Sequence, residues 1–585
     1  MTWGSALPKK TGSMLTRDGV RLDADLYYPN APGDFPVLLV RQPYGRAIAS
    51  TVVYAHPSWY AAHGYIVVVQ DVRGRGTSEG EFDLFAHEIN DGYDSVAWAA
   101  QLPRSSGQVG MYGFSYQGMT QLYAAAAQPP ALKTICPSMV AYDLYADWAY
   151  EGGAFCYQLN LGWAAQLAAE TARRQGDLDA YRALYSAART PSSLDPVCPR
   201  SDLLERLAPD SFYHDWLAQS DPSADYWQRS PHIHLCNVDL PMLHIGGWFD
   251  TFLRGTLKLH HALSDRSQFP QHLWVGPWAH LPWGRWAGAV DFGAAANSPI
   301  DVLQIRWFDH FLKGIDIGLL SDPPVCLFEM GSDRWRKFDH FPANLQQSFT
   351  LGSTGLAAMS DQDGTLQLSL NPLQTAFQPE NRSDQPPNPD ILVHDPWRPV
   401  PAQGGHATAP AGAFNRAALD CRTDILTYTT APLPTDLHLA GAIAVELYCT
   451  ASTPSFDLCA ILSTVKPDGS VFNFSQGYLR VDADLPSSSD AAIGATRAVE
   501  SEAAEISRPI PMKPWAIALQ PTCIFIPQGH ALRLSLSASC FPAFPVNPGT
   551  GTSPYESCLL EAQVITLSVF TGDANPSRIV LAIAE

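Results

Sequence analysis

Positive charge is scarce along this chain. Its 37 lysines and arginines face 57 aspartates and glutamates, for a formal net charge of −20 at pH 7. No cluster of lysine and arginine forms, so there is no basic face to hold nucleic acid, and that partner is excluded. The acidity serves solubility instead. Long apolar runs are missing as well. None reaches the ~18 residues that a membrane span requires, so no membrane role is expected. The opening segment from Met1 to Thr11 lacks an apolar stretch, so no secretory signal is expected there. Paired cysteines are absent too. The 11 cysteines are odd in number and scattered, with no C-x-x-C motif. That argues against a disulfide framework or a zinc site, and for reduced, mostly buried thiols in a cytoplasm.

What remains is a globular composition, 46% hydrophobic and 16% charged over 585 residues. That length exceeds one hydrophobic core, so about two to four domains are expected. There is no internal repeat. Pro36–Val40 and Tyr65–Gln70 are nearly continuous apolar runs, which suits strands of a parallel sheet buried on both faces. Asp91 to Ala100 reads as a helix between them and a third strand, so residues 1–140 form βαβ units of an α/β sheet. From Ala141 the character changes. Tyr142 to Ala169, Asp179 to Ala188 and Asp202 to Leu207 read as helices, and 141–239 as an inserted helical cap. The α/β pattern resumes over 240–324, with strands at Met242–Ile245 and His272–Val275 and a helix at Val302–Leu312. Over 325–585 helices nearly vanish. Short strands recur at Val325–Met330, Gln347–Leu351, Ala444–Tyr448, Leu458–Thr464, Ala531–Leu536 and Ala562–Val569, as in an antiparallel jelly-roll sandwich. Gln378 to Pro401 reads as a long loop within it.

The chemistry is written most clearly in Gly113-Phe114-Ser115-Tyr116-Gln117-Gly118, a G-x-S-x-x-G stretch one residue longer than the usual nucleophile elbow. A strand-like run precedes it and a strong helix former follows. Strand, sharp turn and helix expose a serine Oγ at the top of a sheet, at a helix N-terminus that favours negative charge. Serine needs a base, and the base needs a group to hold it. In an α/β-hydrolase the acid and then the histidine follow the serine, on loops after later strands. Asp250 ends the run Met242 to Phe249, where it also suits a helix cap. His280 follows the next strand, whereas His260 and His261 lie inside the intervening helix. One oxyanion donor is the backbone N–H of Tyr116, the residue after the nucleophile. The second belongs on the loop Arg41 to Arg46. That loop has no run of glycines, and Tyr44 either supplies a phenol O–H there or simply packs. Asp71 to Gly80 is a second glycine-rich loop after a strand. Its G-x-G-x-x-x-G spacing and the lack of a following helix argue against a dinucleotide site.

Together these residues resemble the cocaine esterase and X-Pro dipeptidyl-peptidase family of serine hydrolases. The resemblance rests on Gly113 to Gly118, Arg41-Gln42-Pro43-Tyr44, Asp71 to Gly76, Gly247-Trp248-Phe249-Asp250 and Gly276-Pro277-Trp278-Ala279-His280. In the β region it rests on Asp395-Pro396, Pro399-Val400-Pro401 with Gly404-Gly405, Lys466-Pro467-Asp468-Gly469, Phe541-Pro542 and Asn547 to Gly551. It covers nearly the whole chain. It implies an α/β-hydrolase core, a helical cap, a C-terminal jelly-roll and the triad Ser115–Asp250–His280. It also implies an oxyanion hole of the Tyr44 hydroxyl and the Tyr116 N–H. No cofactor or metal is implied, and the substrate is a small ester or amide. Trp148, Trp163 and Phe252 are similar to aromatic positions that line the acyl pocket of the cocaine esterases, and equally suit plain packing of cap on sheet. The amino acid ester hydrolases carry two acids soon after the triad aspartate. Thr251-Phe252-Leu253 stand there here, so that amine anchor is missing. Asp143, Asp147 and Glu151, at helical spacing, either replace it or form a solvated helix face. An X-Pro dipeptidyl-peptidase, an amidase or acylase, an acyltransferase and a degenerate hydrolase used as a scaffold stay open as alternatives. Sandwich edges permit a homodimer.

Overall fold

The apolar runs read as doubly buried strands lie near the middle of a ten-stranded mixed sheet. The structure is a computed structural model that describes residues 4–47, 52–190, 195–342, 345–369, 388–482, 510–552, 555–572 and 575–584. Its first strands are β1 (Lys10–Leu15), β2 (Arg21–Tyr27), β3 (Phe35–Gln42), β4 (Ile66–Asp71), β5 (Ser105–Phe114) and β6 (Leu132–Ser138). A short hairpin, β7 (Tyr150–Glu151) and β8 (Ala154–Phe155), comes next. Then follow β9 (Met242–Phe249), β10 (Gln271–Ala279), the hairpin β11 (Trp286–Ala287) and β12 (Val290–Asp291), β13 (Val325–Glu329) and β14 (Arg334–Phe338). The sheet runs β1-β2-β4-β3-β5-β6-β9-β10-β13-β14. Every pairing from β4 across to β13 is parallel. All residues of β4 and β9 are buried, as expected of strands covered on both faces.

The helices are α1 (Pro57–Ala62), α2 (Glu88–Ala100), α3 (Tyr116–Ala126), α4 (Tyr157–Gln175), α5 (Leu178–Arg189) and α6 (Asp202–Leu207). After them come α7 (Phe212–Ala218), α8 (Pro231–His234), α9 (Leu253–Ser264) and α10 (Ile300–Lys313). Their ends follow local chemistry. The Asp177 side chain accepts the Ala180 N–H at 2.9 Å and caps α5, and Ser201 caps α6 in the same way.

Two features depart from the sequence reading. Val325–Glu329, expected to open the sandwich, pairs parallel with β10 and antiparallel with β14 in the first sheet. An apolar pentapeptide carries no local mark of the sheet it will join. The run from Tyr142 to Ala169 is not one helix either. A π-turn over Tyr145–Ala149 and the β7–β8 hairpin come before α4. The hairpin turns on Gly152, at φ 52°, where a Cβ would come within 2.0 Å of the Tyr478 carbonyl oxygen.

By contacts the chain forms two compact units. Met1–Ala149, Leu159–Ser192 and Ser201–Phe341 make the first, and Tyr150–Gln158, Ser193–Arg200 and Pro342–Glu585 the second. Two short pieces of the 141–239 segment therefore belong with the C-terminal unit. Ala154 and Cys156 share a buried cluster with Cys459, Tyr478 and Phe544, and Val197 packs with Val546 and Ala562.

The second unit holds β15 (Leu345–Gly352), β16 (Thr365–Leu368), β17 (Asp390–His394), β18 (Leu426–Thr429), β19 (Leu437–Ala451) and β20 (Ser455–Val465). It continues with β21 (Val471–Asp482), β22 (Ile510–Ile526), β23 (Ala531–Ser537), β24 (Ile565–Phe570) and β25 (Arg578–Ile583). These eleven strands link in the order β17-β24-β19-β25-β15-β16-β18-β23-β20-β21, with β22 beside β19. Of the segment read as a loop from Gln378 to Pro401, residues 378–387 lie outside the described residues, and Asp390–His394 is strand, paired with β24. Among the described residues no helix is long and apolar enough to cross a membrane.

Candidate active site

Ser115 is the single residue between β5 and α3, at φ 59° and ψ −128°. Side-chain-bearing residues avoid that region, so the turn is strained. Its backbone is pinned at both ends. The Ser115 N–H donates to the Ser138 carbonyl at 3.0 Å, and its own carbonyl accepts the Met119 N–H at 2.9 Å. Gly118 lets α3 lie close to the next strand, since a Cβ there would come within 2.3 Å of Val140 Cγ1. Tyr116 is the first residue of α3. The first N–H groups of a helix have no partner within it, so they are available to an anion. The Tyr116 side chain turns away, its hydroxyl donating to Glu88 Oε1 at 2.8 Å beside the buried Arg41–Glu88 ion pair.

Strand order brings the other two candidates to the same edge. β5, β6, β9 and β10 are successive parallel neighbours, so their carboxyl ends lie side by side. Asp250 follows β9 and His280 follows β10. His280 Nδ1 lies 2.8 Å from Asp250 Oδ1, with the Asp250 side chain fully buried and that of His280 26% exposed. A carboxylate only accepts, so Nδ1 carries the proton and Nε2 is left with its lone pair. Asp250 Oδ2 accepts the Phe252 N–H at 3.2 Å. That bond precedes α9 and stands in for the cap role the sequence offered. The His280 ring lies between Phe114, 5.4 Å away by centroids and next to Ser115 in the chain, and Phe252 at 5.0 Å.

Tyr44 reaches the same place from the loop after β3. Its oxygen accepts the Trp163 indole N–H at 3.1 Å, and the Ser115 side chain also favours its ionised form. Burial pushes the phenol up to about 12, opposed by Trp163 and Ser115, so it holds its proton at neutral pH. The last residue of β4, Asp71, helps to fix this tyrosine. Gln42 Oε1 accepts the Tyr44 N–H at 2.9 Å, and Gln42 Nε2 donates to Asp71 Oδ1 at 3.1 Å. Arg46 donates to Asp71 twice, from its backbone at 2.6 Å and from Nη1 at 2.5 Å. Asp71 is buried, and desolvation pushes its carboxyl up, opposed by Arg46.

Comparison with known proteins identifies the family. Residues 18–282 match the model of X-Pro dipeptidyl-peptidase (S15 family), and residues 318–579 match that of the X-Pro dipeptidyl-peptidase C-terminal non-catalytic domain. The chain is 31% identical over 589 residues to the cocaine esterase of Rhodococcus sp. (strain MB1 Bresler), covering 97% of both. It belongs to the X-Pro dipeptidyl-peptidase (S15) family. Two solved structures share its fold. An aminopeptidase from the marine sediment archaeon Thaumarchaeota archaeon superposes with a TM-score of 0.78 at 22% identity, over 99% of this chain and 96% of that one. An α-amino acid ester hydrolase gives 0.75 at 21%, over 99% and 97%. The chain is therefore a serine hydrolase with an α/β-hydrolase-type fold.

In this S15-family hydrolase the three aromatic candidates meet. Trp148 stands 4.7 Å from Trp163 and 4.4 Å from Phe252 by ring centroids. Phe212 and Trp216, which the sequence reading passed over, complete the group at 4.7 Å and 6.2 Å from Trp163. Their i, i+4 spacing on α7 was the available signal. The acidic residues behave differently from a solvated helix face. Asp147 is buried, accepting from Lys258 Nζ at 2.6 Å and from the Asp143 N–H at 2.8 Å. Asp143 is half-buried, and its Oδ1 accepts the Tyr145 N–H at 2.8 Å. Glu151 belongs to the second unit, where it is buried and pairs with His406 Nε2 at 2.8 Å.

Proposed function

We propose that this hydrolase cleaves carboxylic esters through an acyl-enzyme on Ser115. The observation that carries the reading is the 2.8 Å His280–Asp250 contact at the ends of neighbouring strands, one strand away from the β6 neighbour of the Ser115 elbow. His280 Nε2 takes the Ser115 proton as Oγ attacks the substrate carbonyl carbon. Asp250 holds the imidazole and stabilises its charged form. The carbonyl oxygen becomes an oxyanion that accepts from the Tyr44 hydroxyl and the Tyr116 N–H. Collapse expels the alcohol, which takes the proton from His280. Water, deprotonated by the same histidine, then releases the acid.

The aromatic group of Trp148, Trp163 and Phe252 supplies an apolar wall for the acyl portion. Esters are favoured over substrates with a free α-amine. Thr251 and Phe252 stand where an amine anchor would be, and Asp147 is already engaged by Lys258. The same reading takes the helices between β6 and β9 as a cap and the eleven-stranded sheet as a jelly-roll. The eleven free cysteines fit a reducing compartment such as the cytoplasm. Ser115→Ala tests it. The substitution is expected to abolish hydrolysis of an aryl acetate and labelling by a fluorophosphonate, and undiminished labelling would overturn the proposal. A Pro-containing dipeptidyl anilide, hydrolysed faster than the aryl ester, would reassign the enzyme as a peptidase.

A further inference from the structure

We propose that Trp163 is the positioning residue of the oxyanion tyrosine, its indole N–H aiming the Tyr44 hydroxyl proton at the developing oxyanion. The inference rests on the reading of Tyr44 as an oxyanion donor given above, and assigns Trp163 a role beyond lining the acyl pocket. An indole nitrogen donates and never accepts. At 3.1 Å from the Tyr44 oxygen, it occupies a phenol lone pair and cannot receive the phenol proton. That single proton is thereby directed away from the indole, to the other side of the oxygen. A hydroxyl that accepts one hydrogen bond also donates the next more strongly.

The indole is held in place from two directions. Its ring stands between Trp148 and Phe212, each 4.7 Å away by centroids. Its helix is tied down further along the same face. Arg75 Nη1 donates to the Leu167 carbonyl and to Thr171 Oγ1, both at 2.9 Å, four and eight residues after Trp163 on α4. Arg75 itself is buried and lies 3.7 Å above the Phe82 ring. It stands on the loop after β4, and β4 pairs with β3, the strand just before Tyr44, Gln42 opposite Asp71. The end of β4 and the loop that follows it therefore grip Tyr44 through Asp71 and the helix of its hydrogen-bond donor through Arg75. Lining a pocket needs only a flat apolar ring; the placement of the N–H is a separate feature.

Trp163→Phe keeps the ring and removes the donor. We measure kcat and KM for aryl acetate, butyrate and benzoate in the wild type, Trp163→Phe, Tyr44→Phe and the double variant, with thermal unfolding as a folding check. Trp163→Phe is expected to lower kcat about five- to tenfold, equally for all three esters, with KM within about twofold. Tyr44→Phe should cost about 100- to 1000-fold in kcat. On the Tyr44→Phe background the Trp163 change should cost less than about twofold more. Should Trp163→Phe fail to fold, Trp163→His is compared with the wild type in the same series; its smaller ring keeps an N–H, so KM rises with acyl size while kcat falls less than about fivefold. An unchanged kcat with an acyl-dependent KM in Trp163→Phe, or full multiplication in the double variant, would overturn the role of Trp163 and leave that of Tyr44 standing. The same holds for a kcat loss in Trp163→His as large as in Tyr44→Phe. A Tyr44→Phe variant with normal kcat would overturn the oxyanion reading and this inference together.

Discussion

Ser115 holds a backbone conformation that costs about 1–3 kcal/mol in any residue with a side chain. Its strain can be separated from its chemistry. Ser115→Gly should lose all esterase turnover yet raise the unfolding midpoint, by about 1 kcal/mol in free energy, because glycine adopts positive φ freely. Ser115→Ala should lose turnover with no such gain. A thermal or urea melt of both variants checks the pair, and equal stabilities would contradict strain at the elbow. At Asp250 the expected effect is kinetic. Asp250→Asn keeps an oxygen that can face His280 Nδ1 but removes the charge that stabilises the imidazolium. kcat should fall about 10⁴-fold while the fold is retained, as measured by aryl ester turnover and circular dichroism.

At the scale of elements, what was legible in the sequence was local. β4, β5, α3, β9, β10 and α10 each carry their own pattern, either a continuous apolar run or a strand–turn–helix sequence, and they fall within a few residues of where that pattern placed them. Partnership was not legible. Val325–Glu329 has the same composition whether it joins β10 or a distant sandwich strand, because strand pairing is set by contacts remote in sequence. The hairpin Tyr150–Phe155 was hidden inside an aromatic, helix-like stretch and is revealed by two consecutive glycines at positive φ. Ser115, Asp250 and His280 were legible because each sits one residue past a strand end. The hydrogen bond from Trp163 to Tyr44 was not, since it joins residues 119 positions apart. The end of β4 makes a prediction at this scale. Asp71→Asn removes one of two carboxylate partners of Arg46 and leaves Asp25 in place, so it should cost about 1.5 kcal/mol of stability and loosen Tyr44. A urea melt and aryl ester kinetics together check it, and a loss of stability with unchanged kcat would separate Asp71 from the oxyanion tyrosine.

At the scale of the whole molecule, buried histidines are held in neutral form. Burial holds His244 down to about 3 and His260 and His272 down to about 4. The unfolded chain binds protons at these residues near pH 6.5, the folded chain only near 3–4. Below pH 6.5 the unfolded state therefore holds more protons, and stability falls as pH drops through that window, by roughly 3–5 kcal/mol per histidine at full titration. The urea midpoint should be clearly lower at pH 5 than at pH 7, and His272→Gln should lessen the slope. A flat profile between those values would contradict the burial of neutral imidazoles.

The tracing of the two units has a consequence for synthesis. The ribosome releases Ala154, Cys156 and Val197 early, yet the residues that bury them, among them Cys459, Tyr478, Phe544 and Val546, arrive near the end of translation. The nascent chain must carry these orphaned apolar pieces unsheltered while the rest is made, a state that invites aggregation or chaperone capture. A C-terminal fragment beginning at residue 342 would for the same reason lack part of its own core, and only the full-length chain supplies it.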